Sequence, residues 1–184
     1  MDKAKQGMAQ RTKMIVMTGI MAALIAVCSW IYVPLTVPFT LQTFAVFFAL
    51  VFLGGKYGTL SIVVYILIGV IGLPVFSGFK GGYGVIIGPT GGYIVGFVFS
   101  GLIFILFTHL FGEKRVVKIA AMVVGLIVCY VIGTLWFMYV YAGTENAKGF
   151  GTVLSICVIP FIIPDILKLV AAYVLAGAVK KGVR

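Results

Sequence analysis

The chain has 184 residues, 62% of them hydrophobic and 10% charged, and a mean hydropathy of +1.23; this excludes a soluble single domain, which could not stay dispersed in water with so little polar surface. The net charge of +10 does not point to nucleic acid, because the basic residues stand singly or in pairs between apolar runs instead of lining one face. The reading that remains is an all-α polytopic membrane protein in a lipid bilayer, a single membrane domain over 1–184 whose length is used up by about six spans of roughly 20 residues.

Taken in chain order, MDKAKQGMAQRTK leads directly into the first apolar run with no A-x-A-like cleavage site after it, so that run is expected to be a retained helix. Apolar runs fall at about 14–32, 41–53, 59–71, 92–111, 116–141 and 153–179. On the first, small residues recur at spacing four (Thr18, Ala22 and Ala26, with Gly19 and Ala23 beside them), and Gly92 and Gly96 repeat the pattern on the fourth. Such faces let helices approach closely in lipid, inside the protein or against a partner subunit. The second and third runs are short, and Gly54, Gly55, Lys56, Tyr57 and Gly58 are expected to form a tight turn between them. From Gly72 to Gly92 the sequence GLPVFSGFKGGYGVIIGPTGG cannot be a regular helix. It is expected to be a long structured loop between the third and fourth spans, of the kind that serves as a lid or binding loop.

Assigning the loops alternately to the two sides gives one side Lys3, Lys5, Arg11, Lys13, Lys56, Lys114, Arg115, Lys118, Lys180, Lys181 and Arg184, and the other only Lys80 and Lys148. The positive-inside rule then makes both termini cytoplasmic and the Gly-rich loop extracellular.

Lys168 fits neither side: it lies within the sixth run, three residues after Asp165. An i, i+3 pair shares one helix face, and each ionised group at a helix centre costs about 2.5–3.5 kcal/mol, so the pair should face the bundle interior or a polar cavity. Counting back from Lys180 at 1.5 Å per residue puts Asp165 about 22 Å from the inner boundary, so such a cavity should open outward. Pro160 and Pro164 predict a kinked or restarted helix beside the pair. The competing reading is a buried ion pair that only fixes helix packing. Thr40, Gln42 and Thr43, with the aromatic Phe39, Phe79, Tyr83 and Tyr93, would complete a small-molecule pocket of apolar walls and a few oriented polar groups.

No Walker-type G-x-x-x-x-G-K-[ST] occurs, so the chain is not expected to hydrolyse ATP, and no nucleophile–base pair suggests an enzyme. His109 is read as an interfacial residue beside Glu113, and Cys28, Cys129 and Cys157 as buried small hydrophobes; neither a metal nor another cofactor is expected.

The combination VPFTLQTF, then GLPVF followed by GPTGGYIVGF, then PDILKLVAA resembles the BioY biotin-binding S components of energy-coupling-factor (ECF) vitamin importers, over essentially the whole chain. The resemblance implies a six-helix subunit of the cell membrane, bacterial in origin, that binds biotin from outside. It also implies docking onto a transmembrane coupling subunit and two cytoplasmic ATPases, with Ala22 and Ala26 as the contact. Biotin suits the pair: Asp165 can accept from a ureido N–H and Lys168 can donate to the ureido carbonyl. Lys168 or Lys80 could instead hold the ligand carboxylate. Gly91 and Gly92, lacking a Cβ, could let the ligand approach the backbone, with Tyr93 and Phe79 against its rings. The alternative is a self-sufficient secondary transporter with Asp165 as its ion- or proton-coupling acid.

Overall fold

The computed structural model describes residues 2–145 and 149–182; Lys148 and Arg184 lie outside them, as do the side chains of Lys3 and Lys5. The order is α1 (Asp2–Trp30), a small antiparallel hairpin of β1 (Tyr32–Val33) and β2 (Phe39–Thr40), α2 (Gln42–Leu53), α3 (Gly55–Val70), α4 (Tyr83–Ile87), α5 (Gly91–Phe111), α6 (Arg115–Tyr141), α7 (Phe150–Cys157) and α8 (Ile159–Gly182). Among the described residues, four segments are long and apolar enough to cross a membrane: Gln6–Trp30, Gly91–Phe111, Arg115–Tyr141 and Phe150–Gly182. Leucine, isoleucine and valine side chains project outward along them, as lipid contact requires. The chain is an all-α membrane protein.

α2 and α3 are shorter, and packing explains why that is tolerated. Every residue of α2 from Ala45 to Val51 is buried, against α1, α3 and α8, as expected of a helix that is apolar all round. At 12 residues it extends only about 18 Å, and its last carbonyls end inside the protein, where Lys180 Nζ donates to Val51 O at 2.9 Å. The connection to α3 is tighter than the sequence suggests. Gly54 alone makes it (φ 82°, ψ 166°), and Gly55, Lys56, Tyr57 and Gly58 already form the first turn of α3. A Cβ on Gly58 would sit 2.6 Å from Leu50 Cα, so these glycines serve close helix contact as well as the turn.

Two other expectations are corrected, and the restart predicted beside Pro160 is found. α1 begins at Asp2, a dozen residues before its apolar run. The Gly-rich segment contains the short α4, and folds back through a Phe76–Lys80 bridge in which Phe76 N donates to Lys80 O at 2.9 Å. The sixth run is interrupted at Val158 (φ −126°, ψ −57°), where α7 ends. The chain restarts with Pro160 in the first turn of α8, where a missing N–H costs nothing, and Pro164 is carried inside the helix.

α5 and α6 form the most extensive helix pair. Gly96 allows it, since a Cβ there would stand 3.0 Å from Cys129 Cα, and Ser100 Oγ crosses to Gly125 O at 2.7 Å. Ala22 and Ala26 are buried in the core, 3% and 6% exposed. Gly19 and Ala23 face outward on the same helix. In this structure the stripe that includes Ala22 and Ala26 serves internal packing. Glu113 pairs with Lys118, not with His109.

Candidate ligand site

The hairpin, the Gly-rich segment and the Val158 break all lie at one end of the bundle, opposite the end that carries Lys56, Arg115, Lys118 and Lys180. Between them lies a cavity of about 310 Å³, near the lower bound of about 300 Å³ for small-molecule sites. Its roof is the 35–43 segment, one wall is 76–90 with the start of α5, and its floor is α6 with α8.

Asp165 and Lys168 meet on the floor, 4% and 7% exposed. Lys168 Nζ donates to Asp165 Oδ1 at 2.8 Å. The second carboxylate oxygen accepts from the Tyr130 hydroxyl at 2.6 Å, which joins α6 to α8. The ammonium also lies 3.7 Å from the centroid of the Phe39 ring, itself stacked on Phe161 at 6.1 Å. A buried ion pair needs this kind of support, because desolvation otherwise cancels most of its Coulomb gain. One turn down α6 from Tyr130 lies Thr134, whose hydroxyl is 3.4 Å from that of Tyr93.

Two polar groups at the cavity are buried with no hydrogen-bond partner among the described residues, Gln42 Nε2 and Ser77 Oγ. A buried donor left unmade costs about 1–3 kcal/mol, so a cavity that holds such groups is prepared for a ligand that supplies acceptors. Lys80 stands exposed at the rim, with no ion-pair partner among the described residues.

The structure thus gathers Asp165, Lys168, Gln42, Thr43, Tyr93 and Lys80 around one space. Phe79 and Tyr83 stand apart from it: they are 61% and 64% exposed, and Phe79 (φ 57°) stacks on Trp30 at 5.2 Å. Gly91 and Gly92 also do not line it, because their missing Cβ atoms make room for Ile86 and Trp136 of the protein itself. Tyr130, Phe161, Ser77, Cys129 and Cys157 line the cavity without having been singled out for it. For Tyr130 a signal existed: a phenol in the middle of an apolar run needs a hydrogen-bond partner, and a buried carboxylate is the strongest one on offer.

The family model of the BioY family matches residues 1–184. The chain belongs to the BioY family. Its relatives include the biotin transporter BioY of Thermotoga maritima, 39% identical over 92% of this chain and 96% of that protein. A probable biotin transporter BioY of Pyrococcus horikoshii is 38% identical over 90% and 95%. The crystal structure of an S-component for biotin from an ECF-type ABC transporter superposes with a TM-score of 0.82, at 26% identity over 94% of this chain and 93% of that one. BioY relatives are thus named as transporters, and the fold shared with the S-component extends over nearly the whole chain.

Proposed function

We propose that this chain is the substrate-capture subunit of an ATP-driven biotin importer in the plasma membrane. It binds biotin from outside and leaves ATP hydrolysis to a transmembrane coupling subunit and two cytoplasmic ATPases. The observation that carries this reading is the charge-balanced floor of Asp165, Lys168 and Tyr130 within an otherwise largely apolar cavity. Biotin presents a neutral but strongly dipolar ureido head, an apolar sulfur ring and a carboxylate. Each carboxylate oxygen has more than one acceptor site, so Asp165 can take a ureido N–H while keeping Tyr130 and Lys168. Lys168, Gln42 Nε2 and Ser77 Oγ supply donors for the ureido carbonyl, Tyr93 and Phe161 flank the ring, and Lys80 at the rim takes the carboxylate.

In this reading α1, α2, α3, α5, α6 and the pair α7–α8 are six spans of one membrane domain, with both termini cytoplasmic. The distribution of lysine and arginine supports that orientation and opens the cavity to the outside. The short α2 and α3 are compatible with it because protein, not lipid, surrounds much of their length.

The deciding experiment is equilibrium binding of biotin to the purified chain in detergent, without ATPase subunits and beside a panel of other vitamins. Tight binding of biotin alone is expected. Absence of binding by a folded sample would overturn the proposal and return the ion-coupled transporter to first place.

A further inference from the structure

A second cavity lies on the other half of the molecule, between α6 and α8. The Tyr130–Asp165 bond ties these helices together near the ligand site. Towards the basic end a groove of about 340 Å³ opens between Arg115, Ile119 and Val123 of α6 and Ile166, Val170 and Tyr173 of α8. From Arg115 to Val123 it runs about 12 Å along the helix axis at 1.5 Å per residue. Its walls are apolar and open to the surroundings, with Ile119, Val123, Ile166 and Val170 at 42%, 45%, 51% and 57% exposure.

The mouth differs in chemistry from the walls. The Arg115 guanidinium lies 5.6 Å from the centroid of the Tyr173 ring, which holds it over the groove. It has no carboxylate partner among the described residues, since the neighbouring Glu113 is engaged by Lys118. Arg115 opens a helix of 27 residues, about 40 Å long, so with a hydrocarbon core of about 30 Å it stands at the membrane interface. A guanidinium offers a phosphate two parallel N–H donors. A helix about 10 Å across and as long as the groove would fill roughly 900 Å³, well beyond the 340 Å³ on offer; a single acyl chain is the better match in size.

The geometry points to a site for an anionic phospholipid, its phosphate on Arg115 and one acyl chain lying in the α6–α8 groove. The lipid would fill the groove that the two helices leave open and bridge them beside the Arg115–Tyr173 contact.

Native mass spectrometry of the full chain in a neutral detergent tests this, with phosphatidylglycerol and phosphatidylcholine of identical chains as probes. One retained phosphatidylglycerol is expected in preference to phosphatidylcholine. Arg115→Gln should lower its retention about fivefold, the contribution of one basic residue at an anionic headgroup. Val170→Trp, which fills the groove, should displace it, and Lys114→Gln, outside the groove, should leave it in place. Phosphatidylglycerol should also raise the thermal midpoint of the wild type more than that of Arg115→Gln at equal lipid concentration. Equal retention of the two lipids would overturn the proposal, as would equal losses from Arg115→Gln and Lys114→Gln, or a Val170→Trp variant that keeps its lipid.

Discussion

Replacing Asp165 by asparagine removes one charge and almost no volume, and the structure separates its two consequences. Lys168, 7% exposed, loses its counterion and keeps only the Phe39 ring, and the Tyr130 hydroxyl loses a charged acceptor. Breaking a buried pair from one side costs about 3–5 kcal/mol of stability. A ligand N–H that donated to the carboxylate now meets a neutral amide, a loss of about 1.5–3 kcal/mol for a hydrogen bond to a charged group, or about 10- to 150-fold in Kd. The double variant Asp165→Asn, Lys168→Met leaves no orphaned charge, so much of the stability should return while binding stays weak. Thermal unfolding and equilibrium biotin binding on the wild type and both variants distinguish the two effects. An Asp165→Asn protein that folds and binds biotin with unchanged affinity would refute the assignment of the site.

Tyr130→Phe deletes a 2.6 Å bond to a charged acceptor and should weaken biotin binding about tenfold, read in the same titration. Gln42→Leu removes a buried, unpartnered amide nitrogen, so the ligand-free chain should unfold at an equal or higher temperature while its biotin affinity falls. A Cβ on Gly92 would collide with Trp136, whereas Gly19 has nothing within 4 Å. Gly92→Ala should therefore lower stability by about 1–3 kcal/mol, and Gly19→Ala should not, as a thermal melt would show.

The four long apolar spans and the Asp165–Lys168 pair were legible because they are local. A run of apolar residues, or two charges three apart within one, carries its own meaning in lipid. The break before α8 was likewise announced by Pro160, though the irregular residue proved to be Val158, two positions earlier: Pro160 has no N–H to offer the Ile156 carbonyl, so the α7 ladder cannot run on through this turn. Tyr130 was not found because its partner lies 35 residues away, and only the packing of α6 beside α8 brings the two together. The burial of Ala22 and Ala26 was hidden for another reason. Thr18, Ala22 and Ala26 repeat at spacing four, but so do Gly19 and Ala23, and periodicity cannot say which of two adjacent stripes turns inward. The same ambiguity applies to Gly91 and Gly92, where a missing side chain makes room equally for a ligand or for Trp136.

The ion pair on the cavity floor also governs how the protein meets the membrane potential. A single charge carried across the bilayer couples to the field by about 2.3 kcal/mol per 100 mV. Asp165 and Lys168, held 2.8 Å apart, carry opposite charges through any movement of α8 and contribute almost no net gating charge. A site built on one unpaired acid would feel the resting potential each time it changed sides. The pair on this floor is, by contrast, electrically silent.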